Sequence, residues 1–142
     1  MTANLQEARP GRIFIGRLAT GSDLVDEIER FCAEHSIVAG WVSVVGAVRH
    51  AAYACYEQRE KRYIELASDT HGEIAGFVGN VSLRDDKPFL HAHATFADDS
   101  GATVGGHLLR GTEVFVGEVQ ITELTDVSLV RTFDEQTGLA LF

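Results

Sequence analysis

Cysteine, proline, methionine and tryptophan are scarce in this 142-residue chain, at two, two, one and one. The two cysteines, Cys32 and Cys55, lack metal-type spacing and lie in apolar surroundings, so they are read as reduced, buried thiols. That rules against a small disulfide scaffold. With only two prolines and no low-complexity stretch or internal repeat, the chain shows no candidate linker and is read as one domain. Basic residues are also few, 12 against 21 acidic ones, for a net charge of −9. An acidic chain is poorly suited to a broad nucleic-acid footprint. Its one basic cluster, Arg59-Glu60-Lys61-Arg62, carries an acid inside it, and Arg9-Pro10-Gly11-Arg12 has the residues of a minor-groove hook in the wrong order. The latter is taken as a flexible lead-in. No apolar run approaches a membrane span and Met1 to Arg12 is too polar for a secretory signal, so a cytoplasmic location is expected.

What is abundant is apolar and β-branched. Apolar residues make up 45% of the chain, enough for a real core. Arg12 to Leu18 suits a strand buried on both faces. Ser22 is a plausible N-cap for a helix running to about His35, with Leu24, Val25, Ile28, Phe31 and Cys32 at helical spacing and Asp23, Asp26 and Glu27 in its first turns. Ile37 to Val48 predicts a central strand bent near Gly46, with Trp41 in the core. Further strands are predicted at Ala51 to Tyr56, Tyr63 to Leu66, Gly72 to Leu83, Phe89 to Ala97, Glu113 to Leu124 and Val127 to Phe133. The pattern is α/β in composition and α+β in layout, with a largely antiparallel, strongly curved sheet and one main helix.

Three of the six histidines fall between His91 and His107. In a strand, His91 and His93 point to one face. A three-residue loop Asp99-Ser100-Gly101, with glycine third for the left-handed position, makes Asp98 face Ala102. Counting outward places Phe96 opposite Val104, Ala94 opposite Gly106 and His93 opposite His107. Three imidazoles then share one face, while Leu90, Ala92, Ala94 and Phe96 join Val104 and Leu108 on the core side. A slip of one residue would separate them. Three neutral imidazoles with an open fourth position suit Zn²⁺ well, and Ni²⁺, Co²⁺, Fe²⁺ or Mn²⁺ acceptably.

Gly21-Ser22-Asp23-Leu24, Ser43-Val44-Val45-Gly46-Ala47, Gly72-Glu73-Ile74, Gly79-Asn80-Val81-Ser82, Leu90-His91-Ala92-His93-Ala94 and Gly105-Gly106-His107-Leu108 together resemble the PPC domain, the plants and prokaryotes conserved family. The likeness covers about residues 10 to 125, leaving a C-terminal strand and tail over 126 to 142 within a single domain of 1 to 142. The resemblance implies a compact α/β homotrimer whose histidine cluster, here His91, His93 and His107, is a metal site facing a cleft near the subunit boundary. Plant members carry hooks that contact DNA, and prokaryotic members are often described as DNA-binding by that association. This sequence shows no hook and is acidic, which speaks against direct DNA binding.

Sheet faces that are apolar on both sides need two covers, and one helix supplies one. Either another subunit covers the second face or the sheet curls over itself. Asp98 and Asp99 are read as turn residues, Glu73 as a solvated strand-end acid and Glu118 as an exposed strand residue, each with a lesser acid-base alternative. Arg49 and Arg110 are candidates for an anion-binding charge near the cleft. His35, His50 and His71 have no mutual spacing that suggests a site. Two function classes follow. One is a metal-binding trimer for a small ligand, able to support metal-assisted hydration or hydrolysis but with no base named by the sequence. The other is an assembly or regulatory module, with DNA as a conceivable partner.

Overall fold

The valine-rich segment from Gly40 to Glu57 forms one 18-residue strand whose two halves have different neighbours. The computed structural model describes residues 5–68 and 71–142. In chain order they form β1 (Arg9–Leu18), α1 (Leu24–Glu34), β2 (Gly40–Glu57), β3 (Arg62–Ser68), β4 (Gly72–Arg84), β5 (Lys87–Ala97), β6 (Thr103–Leu108), β7 (Glu113–Thr125), β8 (Thr132–Asp134) and β9 (Leu139–Leu141). The first half of β2 lies between β7 and β4, and the second half pairs with β3 and β6. Every named strand pair is antiparallel. The order is β1-β7-β2-β4-β5-β6, and β6 returns to β2 through Tyr53 opposite Leu108 and Ala54 opposite His107. The sheet therefore curls until β2, β4, β5 and β6 close on themselves. This is the strongly curved α+β domain expected, and it uses the self-covering route for part of its surface.

The inner surface is aliphatic. Val42, Val48, Val81, Val114 and Ile121 from the sheet join Leu24, Ile28 and Cys32 from α1, all at most 2% exposed. Residues 24, 25, 28 and 32 lie along one stripe of α1, so a single helix seals one side of the sheet. Burial pushes the Cys32 thiol up to about 12, with the charge of Glu29 adding to it. A thiol so held stays protonated and inert.

Several expectations need correction. Asp23, rather than Ser22, caps α1: its backbone is extended and its carboxylate accepts from the N–H groups of Val25 and Asp26 at 2.9 Å each. Ser22 instead donates to the Ala19 carbonyl and to Glu27. The segments 37–48 and 51–56 are not two strands, because pairing with β7 continues past Gly46 to His50 opposite Glu113. Arg9 to Arg12 is not a flexible lead-in but the start of β1, tied down where the Arg12 guanidinium donates to both Glu123 carboxylate oxygens. The first four residues lie outside the described residues. Cys55 is exposed, as is Val104.

The largest correction concerns the outer face. Trp41 is 53% exposed, and Ile13, Ile15, Val45 and Val78 are exposed with it. α1 packs on the opposite face and, among the described residues, these side chains stay uncovered, so the pattern of apolar residues on both faces does not mean burial on both. Finally, 127–133 is not one strand: Val130 bridges to Leu83, and β8 then turns back into β9 as a separate hairpin. Among the described residues no helix is long and apolar enough to cross a membrane.

Removing the cap tests the start of α1. Asp23→Ala is expected to lower the unfolding free energy by about 1 to 2 kcal/mol, read from the midpoint of urea denaturation; an unchanged midpoint would show that the carboxylate does not hold the helix.

Candidate metal centre

Strand alternation and one turn assemble the site. The Asp98 N–H donates to the Ala102 carbonyl at 3.0 Å and the Gly101 N–H to the Asp98 carbonyl at 2.9 Å, with Gly101 at φ +81°. The Asp98 carboxylate also accepts from the Ser100 hydroxyl and from the N–H groups of Ser100 and Ala102, and these bonds, the hydroxyl's first, hold it below the usual carboxylate range. Both turn acids thus act as expected, Asp99 meeting His71 at 3.2 Å. The loop sets the predicted register: Phe96 opposite Val104, Ala94 opposite Gly106, His93 opposite His107. A Cβ on Gly106 would come within 2.5 Å of the Ala54 carbonyl oxygen, so only glycine lets β6 lie against β2 beside the histidines.

The three rings meet. Centroids are 5.3 Å apart for His91 and His93, 5.1 Å for His91 and His107, and 5.6 Å for His93 and His107. One nitrogen from each lies within 4.8 Å of the others. His93 is exposed, whereas His91 and His107 are half-buried. Burial pushes both of the latter down to about 4, assisted by Arg131 and His93 at His91, and by the other two histidines and then Arg131 at His107. They are therefore neutral at physiological pH, the form that offers a lone pair.

A further observation tests the set for a cation. Nδ1 of His107 is buried without a hydrogen-bond partner. An orphaned buried nitrogen costs about 1–3 kcal/mol, and three imidazoles that each bring a nitrogen within 4.8 Å of the others are the donor set that borderline divalent ions take. The residues fit a metal.

The other sequence candidates lie elsewhere. Glu73 is exposed opposite Ala97, and Glu118 is exposed opposite Val45 and Arg17. Arg49 pairs with Glu113 at 3.0 Å, and Arg110 with Asp26 at 2.6 Å and with Glu29. Neither arginine lines the histidine cleft. His35 belongs to the end of α1, its ring stacked 4.0 Å from that of Phe31.

Sequence reasoning missed the rest of the cleft. A recess of about 300 Å³ opens beside His91 and His107, walled by Tyr63, Phe89, Arg131 and the β8–β9 hairpin. The Tyr63 ring lies 4.9 Å from that of His107. Asn80 and Ser82, alternate polar residues in the largely apolar 74–83 stretch of β4, face His91 and Phe89 in register and accept hydrogen bonds from Arg131. Their period-two polarity was the available signal; Arg131 itself sits in no motif.

A curled antiparallel sheet sealed by one helix, with three imidazoles gathered on its unsealed face, defines a small α+β domain with a candidate metal centre. Residues 5–125 match the model of the Plants and Prokaryotes Conserved (PCC) domain, also written PPC, and the chain belongs to that family. It is similar to a metal-containing protein of Archaeoglobus fulgidus, with 41% identity, a TM-score of 0.94 and 99% of both chains covered. It is also similar to a PPC protein of Pyrococcus horikoshii, with 29% identity, a TM-score of 0.93, and 99% and 96% covered. Among curated proteins it is 32% identical over 129 residues to the bifunctional protein GlmU of Synechococcus sp. strain JA-3-3Ab, covering 89% of this chain. The chain spans about a fifth of the length of the curated relatives it matches.

The lowered histidines carry a stability consequence in the metal-free chain. Below about 6.5 the unfolded chain takes up protons that His91 and His107 refuse when folded, so their contribution is complete above 6.5 and is lost as pH falls towards 4. Histidine C2-proton NMR titration should show both rings neutral at pH 5.5; ordinary midpoints near 6.5 would contradict their burial.

Proposed function

We propose that this chain is a homotrimeric PCC-domain metalloprotein in which His91, His93 and His107 bind one divalent ion, Zn²⁺ in the first instance, at a cleft that receives a small ligand. The observation that carries the reading is the convergence of three ring nitrogens within 4.8 Å on a register fixed by the chain's own turn. The metal-containing character of the 41% identical archaeal protein supports it. When bound, such an ion supplies Lewis-acid polarisation of an oxygen-bearing ligand. The chain's residues supply the remainder: His91 and His107 stay neutral, Phe89 and Tyr63 narrow the cleft, and strands β5 and β6 carry the rings.

The trimer rests on the uncovered face. Ile13, Thr122, Trp41, Asn80 and His91 form one cross-strand row, each opposite the next. Opposed residues share a face, so exposed Trp41 and Ile13 lie on the same surface as the histidines. An apolar patch of this kind suits a subunit contact, and it runs directly to the site. A net charge of −9 leaves nucleic acid the weaker partner.

Two measurements test this. Elemental analysis of the purified protein should find one divalent ion per chain, and the double variant His91→Ala/His93→Ala should hold none; metal content unchanged by the double variant would remove these residues as ligands. Sedimentation equilibrium should give the mass of three chains, and Trp41→Glu should shift the population towards monomer. A native monomer, or a trimer indifferent to Trp41→Glu, would reject the assembly through this face.

A further inference from the structure

Six arginines of this acidic chain, at 9, 12, 30, 49, 84 and 110, sit beside a carboxylate. Arg131 does not, although it is half-buried and most in need of one. Its Nε donates to Ser82 Oγ at 2.7 Å, Nη1 to the Ala140 carbonyl at 2.9 Å and Nη2 to Asn80 Oδ1 at 3.0 Å. All three acceptors are neutral. Among the described residues no carboxylate lies within ion-pairing distance of it. The guanidinium also lies 5.3 Å from the Phe89 ring centroid and 4.9 Å from that of Phe142. It is thus anchored at each nitrogen and flanked by two rings.

A guanidinium has five N–H donors, and three are used here, leaving one on each terminal nitrogen. This is a planar donor group held in place beforehand, at the wall of a recess of about 300 Å³ that it shares with His91 and His107. The other walls, Tyr63, Phe89, Phe133, Leu139 and Leu141, are largely apolar. We propose that this recess is a carboxylate pocket, in which Arg131 receives the carboxylate of a small organic acid and the aromatic and aliphatic walls receive its body.

The charge balance selects the ligand class. At the arginine end, one side-chain cation without an acidic partner matches one carboxylate. At the arginine end of the recess, away from the histidines, a phosphate dianion would need a second buried cation, and the neighbouring Arg84 is exposed and already near Asp85. The proposal deepens the metal-centre reading by naming its ligand class, and rests on that reading for what meets the far end of the acid. The pocket and the metal can fail separately.

The test uses the full chain loaded with zinc, its metal content measured in every sample, and isothermal titration with benzoate, benzamide and inorganic phosphate. Benzoate should bind once per chain, at least about tenfold more tightly than benzamide or phosphate. Arg131→Gln should weaken benzoate by at least about tenfold with metal content unchanged, and Arg131→Lys should recover part of the loss. Equal binding of benzoate and benzamide would overturn the carboxylate assignment, as would benzoate binding indifferent to Arg131→Gln or matched by phosphate. If Arg131→Gln does not fold, the benzoate–benzamide contrast on the native chain decides. The same contrast repeated on zinc-free chain separates the readings: benzoate selectivity that persists without metal supports the pocket even where the metal reading fails.

Discussion

The position of β6 is the constraint on which the rest depends. This six-residue strand is claimed by β5 on one side and by the far half of β2 on the other. Its register against β5 is set by the Asp98 turn and its approach to β2 by the lack of a side chain at Gly106. The two pairings close the curl of the sheet, send Leu108 into the core and hold His107 against Ala54. Hydrophobic closure and the gathering of the imidazoles are therefore the same event. A shift of β6 by one residue would cost both, because period-two alternation exchanges the core and site faces together.

The site's electrostatics run against those of the chain. The molecule carries −9 overall, yet among the described residues no carboxylate lines the cleft, and its charged walls are Arg84 and Arg131. Burial first, and then the neighbouring histidines and Arg131, keep His91 and His107 neutral. A carboxylate ligand would be a fixed distance from neutral nitrogen donors rather than from imidazolium, so the histidines remain free to serve a cation while the arginine serves an anion. The separation of these roles follows from placing the permanent cation on the segment that leads into the β8–β9 hairpin and the titratable groups on the sheet.

How much of this was legible depends on how local the determining physics was. The histidine hairpin was readable because loop chemistry, strand alternation and core pattern all lie within 91–108 and agree with one another. α1 was readable for the same reason, although the identity of its cap was not: Ser22 and Asp23 are both competent, and only the path of the backbone puts the Asp23 carboxylate over the first N–H groups. Trp41, Ile13 and Ile15 were misplaced because a pattern of apolar residues on both faces of a strand records what must be covered, without saying by what. Arg131 was invisible for a further reason. Its role depends on Ser82 and Asn80, some fifty positions earlier, and on a hairpin too short to have a hydrophobic period.

The same row of residues links surface and site. Ile13, Thr122, Trp41, Asn80 and His91 are consecutive across four strand pairings, so a subunit seated on Trp41 would lie one residue from Asn80, which carries one end of the Arg131 fork. Covering Trp41 removes water from beside that amide and strengthens its hydrogen bond to the guanidinium. Association at this face would then stiffen the anion wall without touching a histidine. In a sheet, neighbouring rows are rigidly coupled by backbone hydrogen bonds, and no hinge is needed to carry the effect.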